Sequence, residues 1–269
     1  MNDSPIGIFD SGMGGLTVLR ALSARLPHEH TVYLGDTARL PYGTKSSETV
    51  SRYALQAAQS LMTRRVKLLV IACNTASASA LPALTKALAP TPVIGVIEPG
   101  VEAALAAAPN GPIVVIATEG TVKGGAYKRA IHARANGVEV IQQACPLFVP
   151  LAEEGLTGGE IARAVARLYL APLRSRSPKG LVLGCTHFPV LADVIAEAIG
   201  PEVAVVDSAA TTAAAVETRL QELSLLREAR SSTSRQYLVT DTPERFARVG
   251  HLFLGAPVDP HAIEVVDLP

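Results

Sequence analysis

Two cysteines stand in matching surroundings. Cys73 closes the run Leu68-Leu69-Val70-Ile71-Ala72 and is followed by Asn74-Thr75; Cys185 closes Gly180-Leu181-Val182-Leu183-Gly184 and is followed by Thr186-His187. Each is a short apolar run of the kind that forms a buried strand, then a small residue, a thiol and polar residues that cap helices. In parallel α/β sheets ligands bind beyond the carboxyl ends of strands, so both thiols hold ligand-binding addresses. Ser77 adds a cap after Cys73, and Pro189 suits the first turn of a helix after Cys185. A helix N-terminus would stabilise each thiolate through its dipole and free N–H groups. A single strand-end cysteine is more often a small buried hydrophobe; two in matched contexts favour chemistry. Facing thiols can do what one cannot: one takes a proton from a carbon while the other delivers a proton to the opposite face. That inverts a stereocentre without a metal or an electron sink. Near-attack geometry puts each sulfur about 3–3.5 Å from the carbon, hence the pair about 6–7 Å apart. A disulfide between them would abolish the site.

The remaining composition excludes several alternatives. The chain has 269 residues, 48% hydrophobic and 18% charged, enough apolar material for one large or two small cores. Aromatic residues are only 4% with no Trp, so the core is built from Ala, Val, Leu and Ile. Lys plus Arg and Asp plus Glu balance at 24 each, which argues against a nucleic-acid footprint. Arg174 and Arg176 form a small basic pair that reads as solvated loop. Three cysteines without tight spacing make neither a disulfide framework nor a zinc site. Cys145, in Gln143-Ala144-Cys145-Pro146, lacks the capping sequence and reads as packing. The first residues lack a signal pattern and no apolar run approaches membrane-span length. The expectation is a soluble protein of a reducing compartment.

The elements that must position the thiols follow from the apolar runs. Strands are expected at Ile6–Phe9, Thr31–Leu34, Leu68–Ala72, Val93–Val96, Ile113–Ala117, Val138–Ile141, Gly180–Leu183 and Val203–Val206. Helices fit between them at about Leu16–Leu26, Ser47–Arg64, Gly100–Ala107, Gly124–Asn136, Gly159–Tyr169, Pro189–Ile199 and Thr211–Glu222. Strand–helix alternation implies parallel sheets covered by helices. The number of strands exceeds one comfortable sheet, so two α/β lobes are expected. Crossings at Thr91–Gly100 and Asp207–Ala210 would make the first lobe discontinuous, 1–97 plus 209–269, with the second at 98–208. Arg227–Arg235 is expected to be an exposed loop.

Six segments in order carry a resemblance. They are Ile6-Gly7-Ile8-Phe9-Asp10-Ser11-Gly12-Met13-Gly14-Gly15-Leu16-Thr17-Val18, Leu34-Gly35-Asp36-Thr37-Ala38-Arg39-Leu40-Pro41-Tyr42-Gly43, Ala72-Cys73-Asn74-Thr75-Ala76-Ser77, Thr118-Glu119-Gly120-Thr121-Val122, Cys145-Pro146-Leu147-Phe148-Val149-Pro150 and Gly184-Cys185-Thr186-His187-Phe188-Pro189. Together they resemble the cofactor-independent aspartate/glutamate racemase superfamily, on its glutamate racemase branch, over about Ile6 to Ser208. The resemblance implies two α/β lobes with the active site in the cleft between them. It implies Cys73 and Cys185 as the acid/base thiols, with Asp10 assisting Cys73, His187 assisting Cys185, and Glu153 a further partner on the Cys185 side. Asp10-Ser11, Tyr42-Gly43, Asn74-Thr75 and Thr186-His187 match substrate-binding pairs, and Thr118 and Thr121 would add hydroxyls for a carboxylate. The implied activity interconverts L- and D-glutamate with no cofactor and no metal, supplying D-glutamate for peptidoglycan in the cytoplasm, commonly as a homodimer. It also implies that Cys73 serves the D-glutamate face and Cys185 the L-glutamate face. Gly124 departs from the pattern, where Ser would follow Thr121-Val122-Lys123; this leaves both thiols untouched.

Several of these residues have plainer readings. Asp10 suits turn initiation, His187 helix capping, and Tyr42 loop packing. Asp36 suits orienting the Arg39–Gly43 loop. A rival from another class is a dinucleotide-binding oxidoreductase: Gly12-Met13-Gly14-Gly15 follows a strand and opens a helix, and Asp36 ends the second strand. Thr17 stands where that fingerprint needs its third glycine, and the rival leaves the matched thiols unexplained. A non-catalytic protein that kept the scaffold is disfavoured by the intact thiols.

Overall fold

The computed structural model describes residues 2–228 and 232–268. Among the described residues ten strands form two sheets, every pairing parallel. The first part of the chain runs β1 (Ile6–Asp10), α1 (Leu16–Arg25), β2 (Thr31–Gly35), α2 (Ser47–Met62), β3 (Leu68–Ile71), α3 (Asn74–Ala87) and β4 (Val93–Gly95). The middle part runs α4 (Ile97–Ala107), β5 (Ile113–Ala117), α5 (Glu119–Gly124), α6 (Ala126–Arg134), β6 (Val140–Ala144), α7 (Phe148–Glu153), α8 (Gly159–Leu170), β7 (Gly180–Gly184), α9 (Ala192–Ile199) and β8 (Ala204–Asp207). The chain then continues through α10 (Ser208–Glu222), β9 (Arg235–Val239), α11 (Pro243–Leu254) and β10 (Ile263–Val265).

The six-stranded sheet has the order β10-β9-β2-β1-β3-β4, and the four-stranded sheet β6-β5-β7-β8. Each sheet with its helices is one lobe. The central strands β1, β2, β3, β5 and β7 are buried along their whole length, which is why they read as unbroken apolar runs rather than as alternating patterns. One continuous apolar cluster crosses between the lobes, from Leu16 and Leu19 of α1 through Val216 and Leu220 of α10 to Leu183 and Phe188.

Register brings the two thiol segments to equivalent places. Phe9 pairs with Ile71, and Ala72 N–H donates to the Phe9 carbonyl at 2.8 Å, so Asp10 and Cys73 leave neighbouring strands together. In the second sheet Ala117 pairs with Gly184, so Thr118 and Cys185 leave theirs together. Both pairs lie at carboxyl ends.

Local departures from the sequence expectations have local causes. The helix expected over Gly124–Asn136 is two: Gly125 takes the left-handed conformation at φ 63°, closes α5 by donating to Thr121 and Val122, and restarts the chain as α6. The expected helix at Pro189–Ile199 opens as a 3₁₀ turn over Phe188–Leu191, and α9 begins only at Ala192. The Arg227–Arg235 segment is not simply exposed. Arg227 N–H donates to Glu29 at 2.8 Å, Arg235 opens β9, and residues 229–231 lie outside the described residues. Beyond it, β9, α11 and β10 complete the first sheet at its edge, although no strong apolar run announced them. No helix among the described residues is long and apolar enough to cross a membrane.

Candidate active site

Cys73 is itself the N-cap of α3, its Sγ accepting from Ala76 N–H at 3.4 Å. Behind it lies Asp10, fully buried at the end of β1, with Oδ2 accepting from Gly12 N–H at 3.0 Å and Oδ1 without a hydrogen-bond partner. Burial pushes the Asp10 carboxyl above its ordinary value, opposed by the charge of His187 and by backbone N–H groups. Burial also pushes the Cys73 thiol up to about 12, and the Asp10 charge adds to this. The expected dipole-stabilised thiolate is therefore not the resting form here. The capping contact exists, but desolvation outweighs it. Cys73 rests as a thiol beside a carboxyl group suited to exchange its proton.

Cys185 is backed differently. Its Sγ lies 3.8 Å from His187 Nδ1, and His187 Nε2 lies 3.1 Å from Glu153 Oε1. Burial alone would depress the imidazole, but its contacts with Cys185 and Glu153 outweigh that and raise it to about 10. Burial likewise opposes the charge on Glu153, yet His187 and Arg245 hold its carboxyl below the ordinary value. A 3₁₀ turn rather than an α-helix follows Cys185, so the helix dipole expected on this side is replaced by an imidazole.

The two sets meet across one narrow cavity of about 30 Å³. Cys73 and Cys185 both line it, with Ser11, Tyr42, Gly43, Asn74, Thr75, Thr118, Glu153, Thr186 and His187. All three cysteines are free thiols. Asp10 and Thr121 are not in the wall: Asp10 stands behind the thiol, and Thr121 backs a triangle of hydroxyls. Thr75, Thr118 and Thr121 Oγ1 atoms lie 3.0–3.1 Å apart in this triangle, which joins α3 of one lobe to the start of α5 in the other. The Tyr42 hydroxyl does not face the cavity as a free donor. It donates to Asp36 Oδ2 at 2.5 Å, while Asp36 also accepts from Arg39 at 2.7 Å and Thr240 at 2.9 Å. Asp36 thus holds the Arg39–Gly43 loop, and Tyr42 acts through that loop's placement.

Asn74 carries the clearest unfilled capacity. Tyr127 donates to its Oδ1 at 2.7 Å, which fixes the amide, while its buried Nδ2 has no partner. An amide donor, hydroxyls and backbone N–H groups can hold carboxylates, and no Lys or Arg lines the cavity among the described residues. Gly12, Leu40, Pro41 and Val149 also form the wall; all four lie inside the quoted segments, but the sequence analysis gave them no site role. The first three sit beside the expected substrate-binding residues Ser11 and Tyr42, so adjacency was the available signal. Tyr127 and Arg245 had none, since their roles arise from contacts between distant elements. Cys145 is wholly buried in the apolar cluster, where burial pushes its thiol up to about 12.

The glycine loop after β1 serves the closure of this site. A Cβ on Gly14 would stand 2.5 Å from His187 Nδ1 and 2.6 Å from Thr186 Oγ1. The second lobe therefore fills the space over the loop where a dinucleotide pyrophosphate would sit, and the oxidoreductase reading loses its binding place. Gly14→Ala should retain the native far-UV circular dichroism yet lose about 10²-fold in kcat/KM, the scale set by displacing a reacting group by about 1 Å. Turnover within twofold of wild type would show that Thr186 and His187 yield at no cost. Among the described residues, no group of three or more His, Cys, Asp or Glu side chains is placed to hold a metal ion.

Two parallel-sheet lobes with a thiol from each lining one cavity define a racemase scaffold. The chain belongs to the Asp/Glu/hydantoin racemase family, whose sequence profile matches residues 16–216. Several glutamate racemases are similar to it over nearly the whole chain. The glutamate racemase of Geobacter metallireducens is 55% identical over 250 residues, covering 93% of this chain and 92% of that one. The crystal structure of the Francisella tularensis glutamate racemase in complex with D-glutamate superposes with a TM-score of 0.93 at 37% identity, covering 99% and 98% of the two chains. A Bacillus anthracis glutamate racemase isoform gives 0.95 at 35% identity, covering 100% and 99%.

Proposed function

We propose that this protein interconverts L- and D-glutamate by a two-thiol proton transfer. The observation that carries the proposal is the cavity itself. Cys73 and Cys185 enter it from opposite lobes, and each is backed by a separate proton-handling group. Cys185, paired with His187, removes the α-proton of L-glutamate, forming S–H and leaving the electron pair on Cα. Cys73 gives its proton to the opposite face of that carbon, and D-glutamate results. The reverse reaction exchanges the roles. Asp10 and the His187–Glu153 pair reset the proton states of Cys73 and Cys185 respectively. Asn74, Thr75, Thr118, Thr186, Ser11 and the Tyr42–Gly43 loop bind and orient the substrate's carboxylates and ammonium, and Thr121 holds the Thr75 and Thr118 hydroxyls from behind. The identity to glutamate racemases over almost the whole chain supports glutamate as the substrate.

The same reading makes the enzyme independent of pyridoxal phosphate, metal and nucleotide. It places the enzyme in the cytoplasm as a homodimer, supplying D-glutamate for peptidoglycan precursors, with lobes divided at 1–97 plus 209–269 and 98–208. The deciding experiment incubates the protein with L-glutamate in D₂O and follows optical rotation together with loss of the Cα–H signal by NMR. Rotation should decay to zero as deuterium enters Cα, with full activity retained in EDTA. Unchanged rotation would refute the proposal.

A further inference from the structure

The hydrogen-bonded chain behind Cys185 does not end at Glu153. Glu153 gives Oε1 to His187, and its Oε2 accepts from Arg245 Nη2 at 2.9 Å. Glu153 is the last residue of α7 in the second lobe, whereas Arg245 lies in the first turn of α11, which packs against α1 and β10 of the first lobe. The ion pair therefore spans the cleft. The same helix sets Phe253 edge-on against the His187 ring, with centroids 5.1 Å apart and planes at 72°. Helix α11 thus touches the imidazole apparatus twice, once by charge and once by packing.

We propose that Arg245 is a positioning residue for the acid/base pair on the Cys185 side, holding Glu153 from the opposite lobe in the rotamer that orients His187. The inference rests on the reading of Cys185 and His187 as proton-transfer groups. Its physical basis is the division of labour on one carboxylate. A guanidinium stays charged at every working pH, so it keeps Glu153 anionic and occupies the oxygen that His187 does not use. An anionic Glu153 holds the Nε2 proton of the charged His187 ring, so the Nδ1 proton is the one exchanged with the Cys185 sulfur. His187 meets Cys185, Glu153 and the charge of Asp10; Glu153 meets His187 and Arg245; Arg245 also stands 3.8 Å from the exposed Glu154. Without the cation, Glu153 keeps the burial that favours its neutral form and loses one of its two partners.

Arg245→Gln and Arg245→Lys test this through two readouts: the pH profile of kcat/KM, and the ¹⁵N spectrum of the His187 ring without substrate, assigned with His187→Asn. In Arg245→Gln the acid limb should move up by about one pH unit, so the rate at a fixed pH on that limb falls about tenfold. Across that limb the Nε2–H resonance of the His187 ring should lose its carboxylate-paired position in the variant while wild type keeps it. Arg245→Lys should restore both. A loss that is equal at every pH, an unaltered ring spectrum, or a lysine variant as defective as glutamine would each overturn the proposal. Failure of the wild-type protein to racemise glutamate would remove the functional reading alone, since the ring spectrum still reports whether Arg245 governs His187.

Discussion

Cys73→Ser and Cys185→Ser are each expected to lower glutamate racemisation by about 10²–10⁴-fold, the range for losing a positioned acid or base. Serine keeps the size and hydrogen-bonding habit of cysteine, but its hydroxyl does not become a proton acceptor at working pH. The two losses should not add, because inversion needs both faces and the groups act as a unit. The two variants should still differ in what they leave behind. With one thiol intact, the α-proton on that side can exchange with solvent and return to the same face. Cys73→Ser should therefore label L-glutamate in D₂O with retention, and Cys185→Ser should label D-glutamate. The second labelling should be the slower, because burial holds Cys73 in its thiol form, whereas Cys185 has the His187 imidazole beside it. Near-wild-type racemisation by either variant would exclude the two-thiol mechanism. Labelling of the opposite enantiomers would reverse the assignment of faces.

Lys67→Met is expected to destabilise the protein by about 3–5 kcal/mol, the cost of breaking a buried ion pair on one side. Lys67 Nζ lies 2.6 Å from Glu29 Oε2, with both side chains only 2% exposed. It also donates to the carbonyls of Asn2 and Leu225 at 2.8 Å each. Glu29 Oε1 in turn accepts from Arg227 N–H at 2.8 Å. One buried pair thus ties together the N-terminal segment, the loop before β2, the start of β3 and the chain beyond α10. Burial lowers the Lys67 ammonium from its ordinary value, though Glu29 counteracts this. Removing the lysine leaves a carboxylate buried without its cation. Urea denaturation of wild type and variant measures the loss. Glu29→Leu combined with Lys67→Met should recover much of it, since replacing both charges removes the uncompensated one. A loss under about 1 kcal/mol would place the pair in the class of surface ion pairs.

What could be read in the sequence was set by how local its causes are. The strands β1, β3, β5 and β7 announced themselves because burial on both faces leaves an unbroken apolar run. The addresses of Cys73 and Cys185 followed from those runs alone. By contrast β9 begins with two exposed residues, Arg235 and Gln236, and β10 has only three residues; neither could be told from loop. Helix α11 was open to detection: Pro243 at its start and buried Phe246, Ala247, Val249, Gly250, Phe253 and Leu254 keep helical spacing. The state of the thiols was not legible in the same way. A cap position is a local property, whereas desolvation depends on how the other lobe closes. The Tyr42 hydroxyl illustrates the same limit, since its partner Asp36 is itself held by Thr240, some two hundred residues away in sequence.

The topology of the first sheet has a consequence for synthesis. Its strand β9 pairs along the whole of β2, with Gly35 opposite Val239, and every strand of the second sheet lies between them in the chain. At about 5–20 residues per second, roughly 10–40 s separate the emergence of β2 from that of its neighbour. During this interval β2, fully buried in the finished molecule, is an unpaired apolar edge on the ribosome, the kind of surface that invites wrong partners. The second sheet can form meanwhile, because its strands are contiguous. Helix α11, with Arg245 and Phe253, emerges only after β9. Both thiols therefore leave the ribosome well before the groups that align one of them, and the nascent chain carries the proton-transfer groups without the means to use them until its late segments arrive.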